Sequence, residues 1–183
     1  MLLRGRLLLM NRKKWLKIIV PILIVLVVVG IWAYKNVFSA PVEGIQQQDN
    51  IDFALETEAV DLDALTAYGL PIIIDFGSDS CIPCQQMAPV LKTMNEEMQG
   101  RAMIKFVDVW KHTEAAAGFP IQVIPTQVFI NADGTPYTPS DGVTIEFVKY
   151  SYKETGEHAF TAHQGGLTED QMRTILADMG VTD

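Results

Sequence analysis

The feature that most restricts the fold is a short apolar run followed closely by two cysteines. Residues 72–76, IIIDF, are short and mostly β-branched, as is typical of a strand buried on both faces. The motif CIPC follows at residues 81–84, and apolar residues then recur at helical spacing up to about Met98. The sequence therefore predicts a buried strand, a turn with two cysteines and a helix in direct succession.

The position of the two cysteines predicts their chemistry. A helix N-terminus has unpaired N–H groups and a partial positive charge, which favour a thiolate over a thiol. Cys81 is therefore expected to be the reactive sulfur, and Cys84, one turn later, is placed to attack a mixed disulfide formed at Cys81. Pro83 fits the first helical turn, where the N–H that it lacks would have no partner within the helix.

Four other interpretations of the cysteine pair are less favoured. A structural disulfide across two residues would remove little chain entropy. A zinc site needs four ligands, and the chain has two cysteines and three scattered histidines. Haem attachment requires a histidine directly after the second cysteine, and that position is Gln85. Inert core cysteines are the fourth alternative. We predict a redox-active pair and no metal site, with His158 and His163 interpreted as strand or surface residues.

Asp75 and Pro125 each have an ordinary and a functional interpretation. Asp75 lies inside the apolar run, where a carboxylate is costly unless it is paired or used. It either bonds to backbone at the end of the strand or acts as a proton acceptor with a raised pKa that helps to deprotonate Cys84. Pro125 is either an ordinary loop proline or a cis-proline that exposes the backbone of Ile124 to an extended substrate.

The remaining sequence predicts alternating helices and strands. The predicted elements are a helix capped by Asp61 and ended at Gly69, a strand at 103–109, a weak helix at 111–118, a strand at 126–130 leading into a hairpin turn at 131–134, strands at 144–152 and 158–162, and a helix with a Thr168/Gln171 capping box that ends at Gly180. This order indicates an α/β layered domain with a mixed sheet.

The N-terminal part of the chain differs from the rest in charge and hydropathy. Residues 18–34 contain no charge and would form a helix about 25 Å long, which suits a transmembrane anchor. We predict a basic cytoplasmic segment at 1–17, a transmembrane anchor at 18–34, a tether at 35–52 and a domain at 53–183 outside the cytoplasm, following the positive-inside rule. A signal peptide cleaved near Val37-Phe38-Ser39 is the alternative.

Residues 41–183 hold all 22 acidic residues and only seven basic ones, which argues against nucleic-acid binding.

Four separated features together resemble the thioredoxin family. They are the buried aspartate in Ile74-Asp75-Phe76-Gly77, the Cys-Ile-Pro-Cys motif, the helix proline Pro89, and the sequence Ile124-Pro125-Thr126. The resemblance covers about 53–180 and implies a thioredoxin fold, with a central mixed sheet flanked by helices. The residues between Asn131 and Thr168 exceed the last hairpin of a minimal thioredoxin, so an extended last β-hairpin is expected. Cytoplasmic thioredoxins have tryptophan before the first cysteine and lysine after the second, where this chain has Ser80 and Gln85. Between the two cysteines, Ile-Pro replaces Gly-Pro.

The resemblance also implies a function and a set of site residues. Cys81, Cys84, Asp75 and Pro125 are expected to be catalytic, and the expected substrate-binding residues are Ser80, Ile82, Pro83 and Ile124. The expected activity is reduction of envelope-protein disulfides without a cofactor beyond the cysteine pair. Electrons would come from a polytopic membrane carrier of the cytochrome-c-biogenesis type. A disulfide oxidase or isomerase, a non-catalytic adaptor and a copper chaperone are the alternatives.

Overall fold

The computed structural model describes Ile22 and residues 51–182. The chain divides into two compact units, Met1–Ile45 and Gln46–Asp183, and residues 51–182 belong to the second. The predicted cytoplasmic segment, the membrane anchor except Ile22, and most of the tether lie outside the described residues. Within the described residues, no helix combines the length and the apolar character needed to cross a membrane.

Five strands, three α-helices and two short 3₁₀ turns make up the described domain. In chain order they are a 3₁₀ turn at Ile51–Phe53, α1 at Leu62–Thr66, β1 at Ile72–Gly77, α2 at Ile82–Glu97, β2 at Met103–Asp108, a 3₁₀ turn at Thr113–Ala116, β3 at Thr126–Ile130, β4 at Val148–Ser151, β5 at His158–Gln164 and α3 at Glu169–Asp178. The strands form one mixed sheet in the order β2-β1-β3-β5-β4. Strands β1 and β2 are parallel, and the other neighbours are antiparallel. The predicted α/β architecture with a mixed sheet is confirmed.

Local capping explains where the shorter helices begin and end. The Ala64 N–H donates to the Asp61 side chain at 3.0 Å at the start of α1. At α3, the Thr168 side chain accepts from the Gln171 N–H while the Gln171 side chain accepts from the Thr168 N–H, so the predicted capping box is present. Gly180, with φ of 92°, takes the left-handed conformation just after α3.

The core has one layer on each face of the sheet because the side chains of β1 alternate. Ile73 packs with α2 and α3 residues, among them Met87, Leu91, Met172 and Ile175. Ile72, Ile74 and Phe76 pack on the opposite face with residues from α1, β2, β3 and β5. All six residues of β1 are buried, which confirms the prediction drawn from the run of apolar residues.

Three expectations differ from the structure in detail. The predicted helix at 111–118 is only a 3₁₀ turn at Thr113–Ala116. After β3 the chain turns back, but the returning segment makes a single bridge, between Ile130 and Pro136. The pairing goes no further because the next carbonyl, that of Tyr137, accepts from the Thr161 hydroxyl of β5 instead. The last hairpin joins β4 and β5, and the extra residues before it form the irregular segment 138–147 rather than longer strands.

Candidate active site

The two cysteines lie where β1 ends and α2 begins. Cys81 is the N-cap of α2, and its sulfur accepts from the Cys84 N–H at 3.4 Å. The two residues form a disulfide, with their Cα atoms 5.2 Å apart. Cys81 is 9% exposed and Cys84 only 3%. Cys81 is therefore the sulfur nearer to solvent, as expected for the one that meets a partner first.

The loop before β3 lies against Cys81. The Ile124-Pro125 peptide bond is cis, as one of the two sequence interpretations requires. The carbonyl oxygen of Ile124 lies 3.9 Å from Cys81 Sγ. Pro125 itself is buried, and its carbonyl accepts from the Gly165 N–H at 2.9 Å. The structure thus brings the Ile124 backbone next to the outer sulfur, although the two residues are 43 positions apart.

Apolar side chains are exposed around the outer sulfur. Ile82 is 69% exposed, and its neighbours Ser80 and Pro83 are also exposed. Trp110, just after β2, and Val123, just before Ile124, are exposed as well and were not predicted as site residues. Ile82 follows Cys81 directly and Val123 precedes Ile124, so these two exposed aliphatic side chains are suited to contacting a polypeptide that reaches the outer sulfur.

Asp75 is fully buried and bonds to a side chain, not to the backbone at a strand end. Its Oδ1 accepts from Gln127 Nε2 at 2.6 Å, and its Oδ2 has no hydrogen-bond partner among the described residues. Burial raises the pKa of Asp75 to about 7, and the hydrogen bond from Gln127 opposes part of that rise. Near neutral pH this carboxyl therefore changes easily between its protonated and ionised forms.

Gly77 leaves open the space between Asp75 and Cys84. A Cβ atom built on Gly77 would lie 3.3 Å from Asp75 Oδ2 and 3.3 Å from Cys84 Sγ. The two atoms are therefore no more than twice that distance apart. Cys84 also lines a cavity of about 120 Å³ with Leu91 and Phe106, which has room for water beside the inner sulfur. A separation of this size is one that a single bridging water could span between the carboxyl and the inner sulfur.

Asp108 was missed by the sequence analysis. Its carboxylate accepts from the N–H of Asp79 at 3.0 Å, of Trp110 at 3.0 Å and of Lys111 at 3.1 Å. Lys111 also forms an ion pair with Asp79. These bonds tie the loop before Cys81 to the loop after β2. An aspartate at the end of an apolar strand, before a turn, is the sequence signal that was available.

Gln127 was also missed, although its place in the sequence is unusual. It lies in the run TQVFI directly after Pro125-Thr126, and its side chain is fully buried. A buried amide needs hydrogen-bond partners, so a glutamine within an apolar strand was a signal for a polar neighbour in the core.

The predicted strand histidines do not lie at the cysteine pair. Both are on β5, where His158 Nε2 lies 2.8 Å from Thr161 Oγ1 and His163 Nδ1 lies 2.8 Å from the Glu146 carbonyl oxygen. In the part of the chain that the structure describes, no three histidine, cysteine or acidic residues are grouped as metal ligands.

Comparison with known proteins agrees with this geometry. The Thioredoxin family model matches residues 60–149. Thioredoxin 1 of Chlorobaculum tepidum is 40% identical over 63 residues, which are 34% of this chain and 62% of that protein, so the chain spans less than two thirds of this relative. A thioredoxin-like protein of Synechocystis sp. is 32% identical over 73 residues, 40% of this chain and 69% of the relative.

A solved structure of chloroplastic thioredoxin z has a similar fold. It superimposes with a TM-score of 0.50 at 22% identity, covering 70% of this chain and 96% of that one. This likeness bears on the fold alone. With the sequence relatives and the cysteine pair at the start of α2, it supports one conclusion: the chain belongs to the thioredoxin family, and its paired cysteines indicate thiol–disulfide redox activity.

Proposed function

We propose that this protein reduces disulfide bonds of other proteins on the extracytoplasmic side of a membrane. The observation that carries the proposal is the arrangement around Cys81. An outer sulfur at a helix N-terminus lies beside the Ile124 carbonyl of a cis-proline loop and is bonded to a second, more deeply buried sulfur. Such an arrangement lets an extended polypeptide pair with the loop while its disulfide meets the outer sulfur.

In the first step the reduced protein attacks through Cys81. The Cys84 N–H and the N-terminus of α2 stabilise the Cys81 thiolate. The thiolate forms a bond to one sulfur of the substrate disulfide, the substrate S–S bond breaks, and the other substrate sulfur leaves as a thiolate and takes a proton from solvent. Ile82 and the backbone of Ile124 contact the substrate segment around that disulfide.

In the second step the inner cysteine releases the substrate. Asp75 accepts the proton of the Cys84 thiol, for which a carboxyl with a pKa of about 7 is well matched at neutral pH. The Cys84 thiolate attacks Cys81 Sγ, the mixed disulfide breaks, and the second substrate sulfur leaves with its electron pair. Two electrons have then passed to the substrate, and the protein holds the Cys81–Cys84 disulfide. A dithiol donor must reduce it, and we propose a polytopic membrane carrier of the cytochrome-c-biogenesis type.

Cysteine variants test this sequence of steps. Cys81→Ser removes the attacking sulfur and should abolish insulin reduction, whereas Cys84→Ser should accumulate mixed disulfides that dithiothreitol releases. Because these are the only cysteines in the chain, each variant is the control for the other. Insulin reduction by Cys81→Ser at the wild-type rate would contradict the proposal.

The direction of electron flow is tested by the reduction potential of the pair. Equilibration with glutathione buffers should give a value near that of thioredoxin, about −270 mV, for a reductase. A value near about −120 mV would instead identify an oxidase.

The proposed location rests on the charge pattern at the N-terminus. Six basic residues precede the uncharged run 18–34 and one follows it, so we propose that this run anchors the protein with the domain outside the cytoplasm. Protease added to spheroplasts should digest the domain. Protection until the membrane is lysed would contradict this orientation.

A further inference from the structure

Gln127 is a buried polar residue to which the reaction described above gives no role. It lies on β3, two residues after Pro125, and its side chain is inaccessible to solvent. Its Nε2 donates to Asp75 Oδ1 at 2.6 Å and lies 3.4 Å from Met87 Sδ. Its Oε1 has no partner among the described residues.

These contacts fix the direction in which the amide faces. The two hydrogens of Nε2 point to Asp75 Oδ1 and to Met87 Sδ, and the same sulfur accepts from the Leu167 N–H at 3.4 Å. When Asp75 is ionised, the reversed amide would place Oε1 against a carboxylate oxygen, so that two acceptors would face each other without a proton between them. Gln127 is therefore held between β1 and α2 as the donor to the ionised carboxylate.

A donor at one carboxylate oxygen determines where the other oxygen points. With Oδ1 bonded to Gln127, Oδ2 of Asp75 lies beside Gly77, in the same space as Cys84 Sγ. We propose that Gln127 is a positioning residue that holds Asp75 through Oδ1 and keeps Oδ2 directed at Cys84. The proposal rests on the proposed function, in which Asp75 accepts the Cys84 proton.

The bond also affects the ionisation of Asp75. An N–H donor stabilises the charged carboxylate more than the neutral acid, so it limits the rise in pKa that burial causes. Without Gln127 the carboxyl would stay protonated to a higher pH and would accept the Cys84 proton less readily. The titratable groups that share the Asp75 side of the sheet are Cys84 on α2, Glu56 on the segment bridged to β2, Asp108 on β2 and His163 on β5, opposite Gln127. Lys105 on β2 pairs with Ile74 and lies on the opposite face, where its Nζ donates to the Asp52 and Ala54 carbonyl oxygens.

The segment from Ile124 to Gln127, which enters β3, thereby lies against both sulfurs. The residue before Pro125 places its carbonyl oxygen at Cys81, and the second residue after it holds the proton acceptor of Cys84. The same short segment that binds the substrate backbone also supports the inner proton transfer.

The test compares Gln127→Met with Gln164→Met in the full-length oxidised protein. Methionine has nearly the length of glutamine but no N–H donor, and Gln164 is an exposed glutamine on the neighbouring strand β5. Carbon-13 NMR of labelled aspartate follows the titration of Asp75 without any need for turnover. We expect its midpoint to rise by about one to two pH units in Gln127→Met, the effect of losing one hydrogen bond to a charged group, and to stay unchanged in Gln164→Met.

An unchanged Asp75 midpoint in Gln127→Met would overturn the proposal. If that variant does not fold, Gln127→Glu places a second carboxyl at the same position, and the Asp75 signal should then follow a two-step titration whose higher step lies above the wild-type midpoint, because two adjacent carboxyls share a proton. Wild-type titration of Asp75 in Gln127→Glu would equally overturn it.

A kinetic measurement then links the residue to the reaction. The pH midpoint for release of a preformed mixed disulfide at Cys81 should move upwards in Gln127→Met in parallel with the Asp75 titration, and a midpoint that stays at the wild-type pH would overturn the positioning role. The proposed function is tested by a separate experiment. If Cys81→Ser still reduced insulin, the proposed function would be wrong, but the NMR result on Gln127 and Asp75 would remain valid.

Discussion

Replacement of Asp75 by asparagine should stabilise the protein at neutral and higher pH but not in acid. Asp75 is inaccessible to solvent and has one hydrogen-bond donor, Gln127, so its ionised form is poorly compensated. Asparagine has nearly the same shape and stays neutral at every pH. The comparison of the two proteins across pH therefore isolates the free-energy cost of ionising this one carboxyl.

The pKa values give the sign and the size of the effect. Burial raises the pKa of Asp75 from 3.8 to about 7 in the folded protein. Between these values the native state binds more protons than the unfolded chain, so the stability contributed by the protonated carboxyl is fully present below 3.8 and is lost as the pH rises to about 7. At about 1.4 kcal/mol per pKa unit, the loss is on the order of 4 kcal/mol.

Urea unfolding of the oxidised proteins measures this quantity. The free energy of unfolding of Asp75→Asn minus that of the wild type should increase by about 3–4 kcal/mol between about pH 4 and pH 8. Asp141→Asn, at an exposed position, is the matched control and should show no such increase.

A difference that stays constant between the two pH values would refute the reasoning. It would mean that Asp75 ionises as easily in the folded protein as in the unfolded chain, and the assignment of Asp75 as a neutral-pH proton acceptor would fall with it.

Three further substitutions test the packing around the site and the helix ends. Gly77→Ala places a Cβ 2.9 Å from a ring carbon of Phe106, so it should lower the free energy of unfolding in urea by about 1–3 kcal/mol and slow the release of mixed disulfides. Gly166 has open space around it, so Gly166→Ala should have neither effect. Thr168→Ala removes the capping box of α3 and should cost about 1 kcal/mol in the same urea assay. Tyr137→Phe removes a 2.6 Å hydrogen bond to the Asp178 carboxylate and should lower the free energy of unfolding by about 1–3 kcal/mol. A urea midpoint equal to that of the wild type would show that this bond does not contribute to stability.

Much of the fold follows from local sequence signals. The buried strand β1, the cysteine turn and helix α2 were predictable because apolar periodicity and the helix-start residues act within a few positions of the chain. The hairpin expected after β3 shows the limit of such signals. Its turn forms at 131–134, but β3 pairs with β1 and β5, which are distant in sequence.

Some features of the candidate site could likewise be predicted from the sequence, and others could not. The order of the cysteines and the presence of a buried carboxyl were visible in the sequence alone. The partner of that carboxyl was not, because Gln127 is 52 residues away from Asp75 and reaches it only through the antiparallel register of β1 and β3.

The sequence by itself determined the candidate groups for the proposed chemistry: two cysteines, one aspartate in an apolar strand and one proline before another strand. The tertiary structure decided which atoms meet. It placed the Ile124 carbonyl at Cys81 and a donor amide on one oxygen of Asp75, and it left the other oxygen beside Cys84. The physical reason is that residue type and spacing set the local conformation, whereas strand register and packing of α2 on the sheet set distances between residues far apart in the chain.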